Sequence, residues 1–122
     1  MTLGATTVLD RWHAAVNAGD VDAVAALCSE TVAVAGPRGL GHGRDLVRAW
    51  LLRSGIRLEP QEDLVEREGR VVVRETARWT TATAPDGAPV EPATTWCVFT
   101  VEQGLVTSIA RFDTEAAVPG PA

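Results

Sequence analysis

The sequence contains no lysine and no tyrosine. Without lysine the chain cannot form a Schiff base with a carbonyl substrate, and without tyrosine it has no phenol to act as an acid or to bind an oxyanion. All 11 basic residues are arginine, whose guanidinium can hold an anion but does not release a proton at ordinary pH. This arginine-only usage, together with much alanine and valine, is typical of a GC-rich bacterial genome.

Cysteine is scarce as well, with Cys28 on a helical pattern and Cys97 on a strand pattern. No CxxC spacing occurs, and the two histidines have no carboxylate at metal-ligand spacing, so the sequence predicts neither a metal site nor a redox motif. Two buried free thiols in a reducing cytoplasm are the simpler interpretation. We therefore expect a cytoplasmic protein that works without a metal or another cofactor.

Long apolar runs and basic runs are also missing. No apolar run approaches about 20 residues, and no basic segment precedes an apolar one at the N-terminus, so neither a membrane span nor a signal peptide is predicted. The formal net charge of −5 argues against nucleic acid as a partner. A chain of 122 residues that is 46% apolar and 22% charged is typical of one globular domain with its own core.

The apolar spacing changes from a helical period to a strand period along the chain. It predicts helices within residues 6–20, 21–30 and 44–55, and a glycine-rich connection at 38–43. It predicts strands at 31–37, 70–83, 93–102 and 105–113, with 56–68 extended or mixed, 84–92 turn-rich and 114–122 a flexible tail. Helices followed by antiparallel strands indicate an α+β domain.

The stretch WHAAVNAGDVDAVAALCSETVAV, followed by a Pro/Gly loop and GRDLVRAWL, resembles the NTF2-like superfamily. That superfamily includes ketosteroid isomerases, SnoaL-like polyketide cyclases and limonene epoxide hydrolases, and the resemblance covers about residues 6–113. It implies a single domain over residues 1–122, an α+β cone in which three N-terminal helices pack on a strongly curved mixed sheet that encloses an apolar pocket. It also implies a homodimer, but not one reaction, because this fold hosts several chemistries and many binding modules.

The catalytic groups of ketosteroid isomerases are absent at the matching positions. Alignment on NAGD places Trp12 where those enzymes have a tyrosine, and the end of the first strand places Gly36 at their base. Counting back from the last hairpin places Trp96 at their second aspartate. Because an indole N–H donates hydrogen bonds but cannot shuttle protons, the sequence predicts no ketosteroid isomerase activity.

The last predicted strand carries the catalytic candidates, Arg111 and Asp113. Alternation puts Ile109, Arg111 and Asp113 on one face, which the resemblance turns inward. SnoaL-like cyclases use a carboxylate near this position, and limonene epoxide hydrolases use an Asp-Arg-Asp set, whose second carboxylate could be Glu75 if its face is inward. Three alternatives stay open for Asp113: proton transfer, ligand contact without catalysis, or a solvated pair with Arg111.

The pocket is predicted from aromatic residues and their neighbours on inward faces. The same alignment turns Trp96 and Val98 inward and leaves Cys97 facing away from the cavity. His13, one position after Trp12, is interpreted as a flanking polar residue, and the glycine-rich connection as an edge of the pocket mouth. The predicted ligand-pocket residues are Trp12, Val16, Trp96, Val98, Ile109 and His42.

The leading hypothesis is a cofactor-free enzyme that acts on a small hydrophobic or polyketide-like molecule by cyclisation, isomerisation or epoxide opening. Asp113 would transfer the proton, while Arg111 would adjust the pKa of Asp113 and hold developing negative charge. The alternative is a non-catalytic module for ligand binding or dimerisation. A pocket filled by its own tryptophans would favour that alternative.

Overall fold

The order of elements is that of an α+β domain, as predicted. The computed structural model describes residues 3–36, 39–80 and 91–119. Its helices are α1 (Ala5–Ala18), α2 (Val21–Ala26) and α3 (Arg44–Ser54), and a short 3₁₀ helix spans Glu115–Ala117. Its strands are β1 (Cys28–Gly36), β2 (Gly39–His42), β3 (Ile56–Pro60), β4 (Glu66–Arg67), β5 (Arg70–Trp79), β6 (Ala93–Glu102) and β7 (Leu105–Phe112). Most of the predicted turn-rich connection lies outside the described residues.

Two caps fix the junction between the first two helices. Gly19 ends α1 in the left-handed region (φ 72°), where a residue without a Cβ is least strained, and its amide bonds to the carbonyl of Val16 at 3.0 Å. Asp20 then begins α2, because its carboxylate accepts a hydrogen bond from the amide of Ala23 at 3.1 Å. The NAGD stretch is therefore a helix stop followed at once by a helix start.

Two segments differ from the sequence prediction. The second helix stops at Ala26 because the chain beyond it already belongs to the sheet, where the amide of Val106 donates to the carbonyl of Leu27 at 2.8 Å. The glycine-rich connection contains β2, which pairs antiparallel with β1. Strand pairing uses backbone groups that every glycine carries, so the lack of side chains does not prevent it.

Within the described residues, seven strands form one curved, mixed sheet that is not closed. The order is β2-β1-β7-β6-β5-β3, with β4 also paired to β5. β1 runs parallel to β7, whereas the other pairs are antiparallel. The helices cover one face, which we call the inner face; the opposite one is the outer face.

The inner face is packed with apolar side chains from both layers. Trp12 of α1 is fully buried and meets the ring of Phe99 edge-on, with 5.0 Å between the ring centroids. Full burial of one large apolar side chain contributes about 1.5–3 kcal/mol, so these two rings are a substantial part of the core. Val16 and Ile109 are buried in the same cluster. The space under the helices is therefore filled at this point rather than open.

The inward prediction for Trp96 and Val98 is wrong. Both are half-buried on the outer face, whereas Cys97 between them is fully buried on the inner face. The antiparallel register pairs Cys97 with Arg111, so an inward Arg111 requires an inward Cys97. The alignment through the last hairpin was displaced by one residue, and a displacement of one residue exchanges the two faces of a strand.

A row of apolar side chains crosses the outer face. Backbone pairing aligns one residue from each of five neighbouring strands, in the order Leu40, Ala35, Ala110, Val98 and Val72. We call this set the outer row. Leu40 and Val72 at its ends are exposed, and the three residues between them are half-buried. The outer face thus presents a continuous apolar strip to its surroundings.

The segment after β7 returns to the sheet. Thr114 accepts a hydrogen bond from the amide of Ala117 through its hydroxyl, and the Arg70 guanidinium donates to the carbonyl of Pro119 at 2.5 Å. The last three residues of the predicted tail lie outside the described part of the chain. The longest helix there, α1, has 14 residues, and none is long and apolar enough to cross a bilayer.

Candidate active site

A histidine and a glutamate face each other between α1 and β5. Glu75 is fully buried and His13 is 4% exposed, and the His13 Nε2 lies 2.5 Å from the Glu75 Oε1. His13 sits on the buried side of α1, four residues after Leu9 and three before Val16, which are both core residues. Glu75 continues the inward alternation of β5 between Val73 and Ala77. These two positions follow the helical and strand periods of their apolar neighbours.

One proton is held between these two side chains. The His13 Nδ1 lies 2.7 Å from the carbonyl oxygen of Leu9, which can only accept, so Nδ1 carries a hydrogen. A neutral ring would then leave Nε2 bare toward Oε1, and two bare acceptors at 2.5 Å repel each other. A proton therefore lies between Nε2 and Oε1, whichever atom it is bound to, and the pair carries no net charge.

The second carboxylate oxygen of Glu75 is the free end of this pair. Oε2 is buried and has no hydrogen-bond partner among the described residues. Both ring nitrogens of His13 are occupied, so the ring cannot face a substrate itself. An unpartnered buried oxygen costs stability, and in a native protein it calls for an explanation, of which a catalytic role is one. Oε2 is thus the one oxygen of this pair that has no hydrogen-bond partner among the described residues.

Cys97 borders the same carboxylate on the inner face. Burial in the first place, and then the neighbouring Glu75, raise the pKa of the Cys97 thiol well above its usual value. The thiol therefore keeps its proton at neutral pH, which makes it a weak donor and a poor nucleophile. The expectation that Cys97 is a buried free thiol is confirmed, but the expectation that it faces away from the helix-covered side of the sheet is wrong, because this thiol rather than Trp96 stands at the inward position of β6.

The polar groups continue from Glu75 toward the end of the sheet. Thr95 is the cross-strand neighbour of Glu75, and its hydroxyl accepts from Arg111 Nη1 at 3.3 Å. The same Nη1 donates to the Asp113 Oδ1 at 3.0 Å. The side chain of Arg111 is 22% exposed and that of Asp113 is 67% exposed. We call these residues, from the buried Glu75 through Cys97, Thr95 and Arg111 to Asp113, the polar path.

A cavity of about 310 Å³ adjoins the outer end of the polar path. Arg111, Phe112 and Asp113 form one wall, and Ala35 and Gly36 at the end of β1 form another. Its lining is mainly apolar apart from the Arg111–Asp113 pair. His13, Glu75 and Cys97 are not in this lining, because they lie deeper between the layers.

The structure separates the predicted pocket residues into three groups. Trp12, Val16 and Ile109 point inward but are packed in the core. Trp96 and Val98 belong to the outer face, where Trp96 lines a separate cavity of about 360 Å³. His42 is exposed on the edge strand β2, opposite Ala33, and does not approach the polar path. The predicted single enclosed pocket is therefore not what these six residues form.

The sequence contains a signal for the buried positions of His13 and Glu75, which are interpreted above as a flanking residue and as a conditional candidate. Glu75 stands where alternation within RVVVRETARW calls for an apolar side chain, and a carboxylate there needs a buried partner. His13 occupies the apolar stripe of the first helix in the same way. When each of two otherwise apolar patterns contains one buried polar residue, we expect these two residues to be hydrogen-bond partners. Among the described residues, no three His, Cys, Asp or Glu side chains are grouped as a metal site requires.

A family model described as the SnoaL-like domain matches residues 9–109. The chain belongs to this family. The match spans both members of the buried pair and most of the polar path, and it confirms the resemblance to the NTF2-like superfamily. No functionally curated protein matches the sequence.

Solved structures similar to this SnoaL-like chain include proteins of known and unknown role. An NTF2-like protein of unknown function from Cytophaga hutchinsonii has a TM-score of 0.78 at 13% identity, over 95% of both chains. The epoxide hydrolase/cyclase-like enzyme SalBIII, described in pyran ring formation in the polyether salinomycin, has a TM-score of 0.78 at 22% identity, over 92% of both chains. A putative polyketide cyclase from Xanthomonas campestris has a TM-score of 0.71 at 22% identity, over 90% of both chains. At these identities the likeness shows the fold alone.

Proposed function

We propose that this SnoaL-like protein is a cofactor-free enzyme that moves a proton on a small hydrophobic molecule through the Oε2 atom of Glu75. The observation that carries the proposal is the unpartnered Oε2 of a fully buried carboxylate whose other oxygen is bound to His13. A positioned acid or base of this kind contributes roughly 10²- to 10⁴-fold to a reaction rate. His13 is the positioning residue, because it holds Oε1 and the shared proton while Oε2 reacts.

The pair suits both directions of proton transfer. When the shared proton is on Nε2, Glu75 is an ionised base, and Oε2 can accept a proton from a C–H or O–H group of a substrate. The resulting acid can return that proton to another atom of the same substrate, which is the net chemistry of an isomerase or a cyclase. Arg111, which donates to Thr95, the cross-strand neighbour of Glu75, would stabilise negative charge that develops on a substrate oxygen.

This proposal gives Asp113 a different role from the one that the sequence predicts. The carboxylate of Asp113 is 67% exposed and binds Arg111, so it lies at the solvent end of the polar path rather than in an enclosed apolar pocket. Glu75, the carboxylate that the sequence left conditional on its strand face, is buried and directed inward. We therefore assign proton transfer to Glu75, and to Asp113 the orientation of Arg111 at the entrance.

The proposed substrate class is based on the residues that line the 310 Å³ cavity and on the family. The 310 Å³ cavity beside Arg111 offers apolar surface with one cation, which suits a small hydrophobic or polyketide-like molecule with a carbonyl or epoxide oxygen. Two of the similar structures are described as an epoxide hydrolase/cyclase-like enzyme and a putative polyketide cyclase. Ring closure, isomerisation and epoxide opening all use one acid–base group and one charge-stabilising group.

The test measures proton abstraction without knowledge of the natural substrate. We would follow deuterium exchange at the acidic C–H of 2-tetralone, a small apolar ketone, by NMR, and hydrolysis of styrene oxide in parallel. We expect the wild-type protein to accelerate at least one reaction and Glu75→Gln to lower that rate at least about a hundredfold. Asp113→Asn is the matched control, and its rate should stay within a few-fold of the wild type.

Two outcomes would overturn the assignment. If Asp113→Asn abolishes the reaction while Glu75→Gln retains it, Asp113 is the proton shuttle. If the folded wild-type protein accelerates neither probe, the enzyme proposal loses its support. The second candidate function would then apply.

That second candidate is a non-catalytic binding module, favoured by the packing of the interior. Trp12 is fully buried against the rings of His13 and Phe99, with ring centroids 5.0 Å from each. A substrate that reaches Oε2 must enter from the polar path or displace one of these rings. A module of this kind would bind small apolar molecules in the 310 Å³ cavity and leave them unchanged, and ligand recovery by NMR distinguishes the two functions.

We further propose a homodimer that uses the outer row as its interface. The row crosses five strands and ends in the exposed side chains of Leu40 and Val72. An apolar strip across a whole sheet face is a common basis of stable association between identical chains. A second copy is the partner that the family resemblance also implies.

A further inference from the structure

The geometry points to a second ligand site, for a short-chain carboxylate, in a cavity at the opposite end of the helices from the polar path. The cavity has a volume of about 180 Å³ and lies where the C-terminal ends of α1 and α3 meet the start of β3. Its lining consists of residues from the three helices and their ends, together with Arg57 and Thr80. No residue of the polar path belongs to this lining. The inference is independent of the proposed function.

The walls of this cavity are apolar on three sides. Val16 of α1, Val21 and Val24 of α2 and Leu51 of α3 each contribute a branched side chain. One water molecule occupies about 30 Å³ in the liquid. A cavity of about 180 Å³ therefore has room for a molecule of about six non-hydrogen atoms. Butyrate has this size, with a short apolar chain for the walls and one charged group.

Arg57 supplies the charged end of the cavity. Its Nη1 donates to the carbonyls of Gly55 at 3.4 Å and Ile56 at 3.1 Å. Among the described residues no carboxylate lies within ion-pair distance of the guanidinium, and its Nε and Nη2 have no hydrogen-bond partner. Those two atoms form the edge of an arginine that binds a carboxylate through two parallel hydrogen bonds.

The glycine at the end of α1 brings the guanidinium and the cavity together. A Cβ on Gly19 would lie 3.1 Å from the Arg57 Nη2, tighter than an ordinary van der Waals contact, so a larger residue would displace the guanidinium. Gly19, Arg57 and Asp20 all line the cavity; the Asp20 Oδ1 accepts from the amide of Ala23, and Asp20 lies beyond ion-pair distance of Arg57. The cation is thus held half-buried at the wall, and within the described part of the chain its edge is free and it has no counter-ion.

The chain offers a matched control for this arginine. Arg78 is the direct cross-strand neighbour of Arg57 on β5, carries the same charge and does not line the cavity. Its guanidinium lies 3.9 Å from the carboxylate of Glu59, so it already has an acidic partner. A general effect of positive charge would affect both arginines, whereas a built site depends on Arg57 alone.

The experiment is an amide NMR titration of the ¹⁵N-labelled protein with butyrate, with the isosteric neutral butyramide as the ligand control. We expect saturable shifts of the Gly19 and Gly55 amides, and binding at least about tenfold weaker for butyramide and for Arg57→Gln, since a charged hydrogen-bonded contact is lost. Arg78→Gln should bind butyrate like the wild type. Ala15→Leu, which fills the cavity and leaves the charge in place, should also abolish binding.

Three results would overturn the site. The first is the absence of saturable shifts at Gly19 and Gly55 in the wild-type protein. The second is equal weakening by Arg57→Gln and Arg78→Gln, which would indicate diffuse charge attraction. The third is a set of shifts confined to Ala35, Gly36 and Arg111, which would place the carboxylate in the candidate active site instead. If Arg57→Gln does not fold, as judged by circular dichroism, Ala15→Leu and butyramide still decide the question.

Discussion

His13 and Glu75 join α1 to β5 through a single hydrogen bond of 2.5 Å in the interior. The contact brings together residues that are far apart in the sequence, and both side chains are cut off from water. Desolvation of a buried pair of this kind costs free energy. Removal of only one partner costs more, because the other partner is left buried and unpaired. Its consequences for stability and for chemistry can therefore be separated by mutation.

Removal of one partner should destabilise the protein strongly. We expect His13→Leu to lower the free energy of unfolding by about 3–5 kcal/mol, because Glu75 is then buried without a partner. The double variant His13→Leu/Glu75→Leu should recover most of that loss, since two apolar side chains need no partners. Urea denaturation of both variants measures the difference. A double variant as unstable as the single one would show that the pair is not energetically coupled.

Replacement of Trp12 should open the interior beside the pair. Trp12→Ala removes a fully buried ring and should cost about 3–5 kcal/mol, as other large-to-small core substitutions do. The space left behind is bounded by Phe99 and His13, so it should bind indole and regain part of the lost stability. Thermal unfolding with and without indole tests this, with the wild type as control. If indole stabilises both proteins equally, the ligand does not occupy the space vacated by Trp12.

Alkaline pH should destabilise the protein through its cysteines. Burial raises the pKa of the Cys28 thiol from its ordinary value to about 11, so the folded state keeps a proton that the unfolded state releases. The unfolded state then binds fewer protons, and the free energy of unfolding falls as the pH rises from about 9 through about 11. The loss is on the order of 2–3 kcal/mol for this thiol.

The measurement is urea unfolding at several pH values between 8 and 11. Cys28→Ala should flatten the dependence in this window, and Cys97→Ala should flatten it further because the pKa of Cys97 is also raised. No lysine or tyrosine titrates in the same window, so the chain has an unusually clean background for the test. A slope that both variants leave intact would mean that other groups cause it.

Charge in the outer row should disrupt the homodimer that we propose. We expect Leu40→Glu to convert the dimer to monomer, because a carboxylate in an apolar interface is costly to desolvate. Leu52→Glu is the control, since Leu52 on α3 has nearly the same exposure, 66% against 67% for Leu40, and lies on the helical side. Sedimentation velocity of the two variants and the wild type distinguishes them. A wild type that sediments as a monomer would contradict the proposal.

The sequence predicts the elements of this fold better than the faces of its strands. Helix ends at Gly19 and Asp20 depend on local backbone chemistry, which a short stretch of sequence contains. The orientation of Trp96 depends on a register fixed across the sheet, so a displacement of one residue in the alignment reversed it. β2 was missed for a related reason, since its glycines pair through the backbone and leave no pattern of side chains.

The candidate site shows the same limit. Alternation puts Arg111 on the face of Ile109 and Asp113, the family resemblance turns that face inward, and the ion pair of Arg111 with Asp113 is present in the structure. The partnership of His13 and Glu75 is a long-range contact, and neither residue identifies the other by spacing along the chain. Only the mismatch of each with its own apolar pattern could have indicated it. That Asp113 is the proton shuttle remains a prediction. The reaction rates of Glu75→Gln and Asp113→Asn decide between these two carboxylates.

The parallel pairing of β1 with β7 has a consequence for how the chain folds during synthesis. β1 follows the first two helices, whereas β7 is the last strand of the described sheet in chain order, yet the two are hydrogen-bonded neighbours. The helices and the β1–β2 hairpin therefore keep apolar faces uncovered until β7 has been synthesised. We expect folding to be slow and to be completed only after β7 has emerged, and truncation within β7 to yield a chain that chaperones retain.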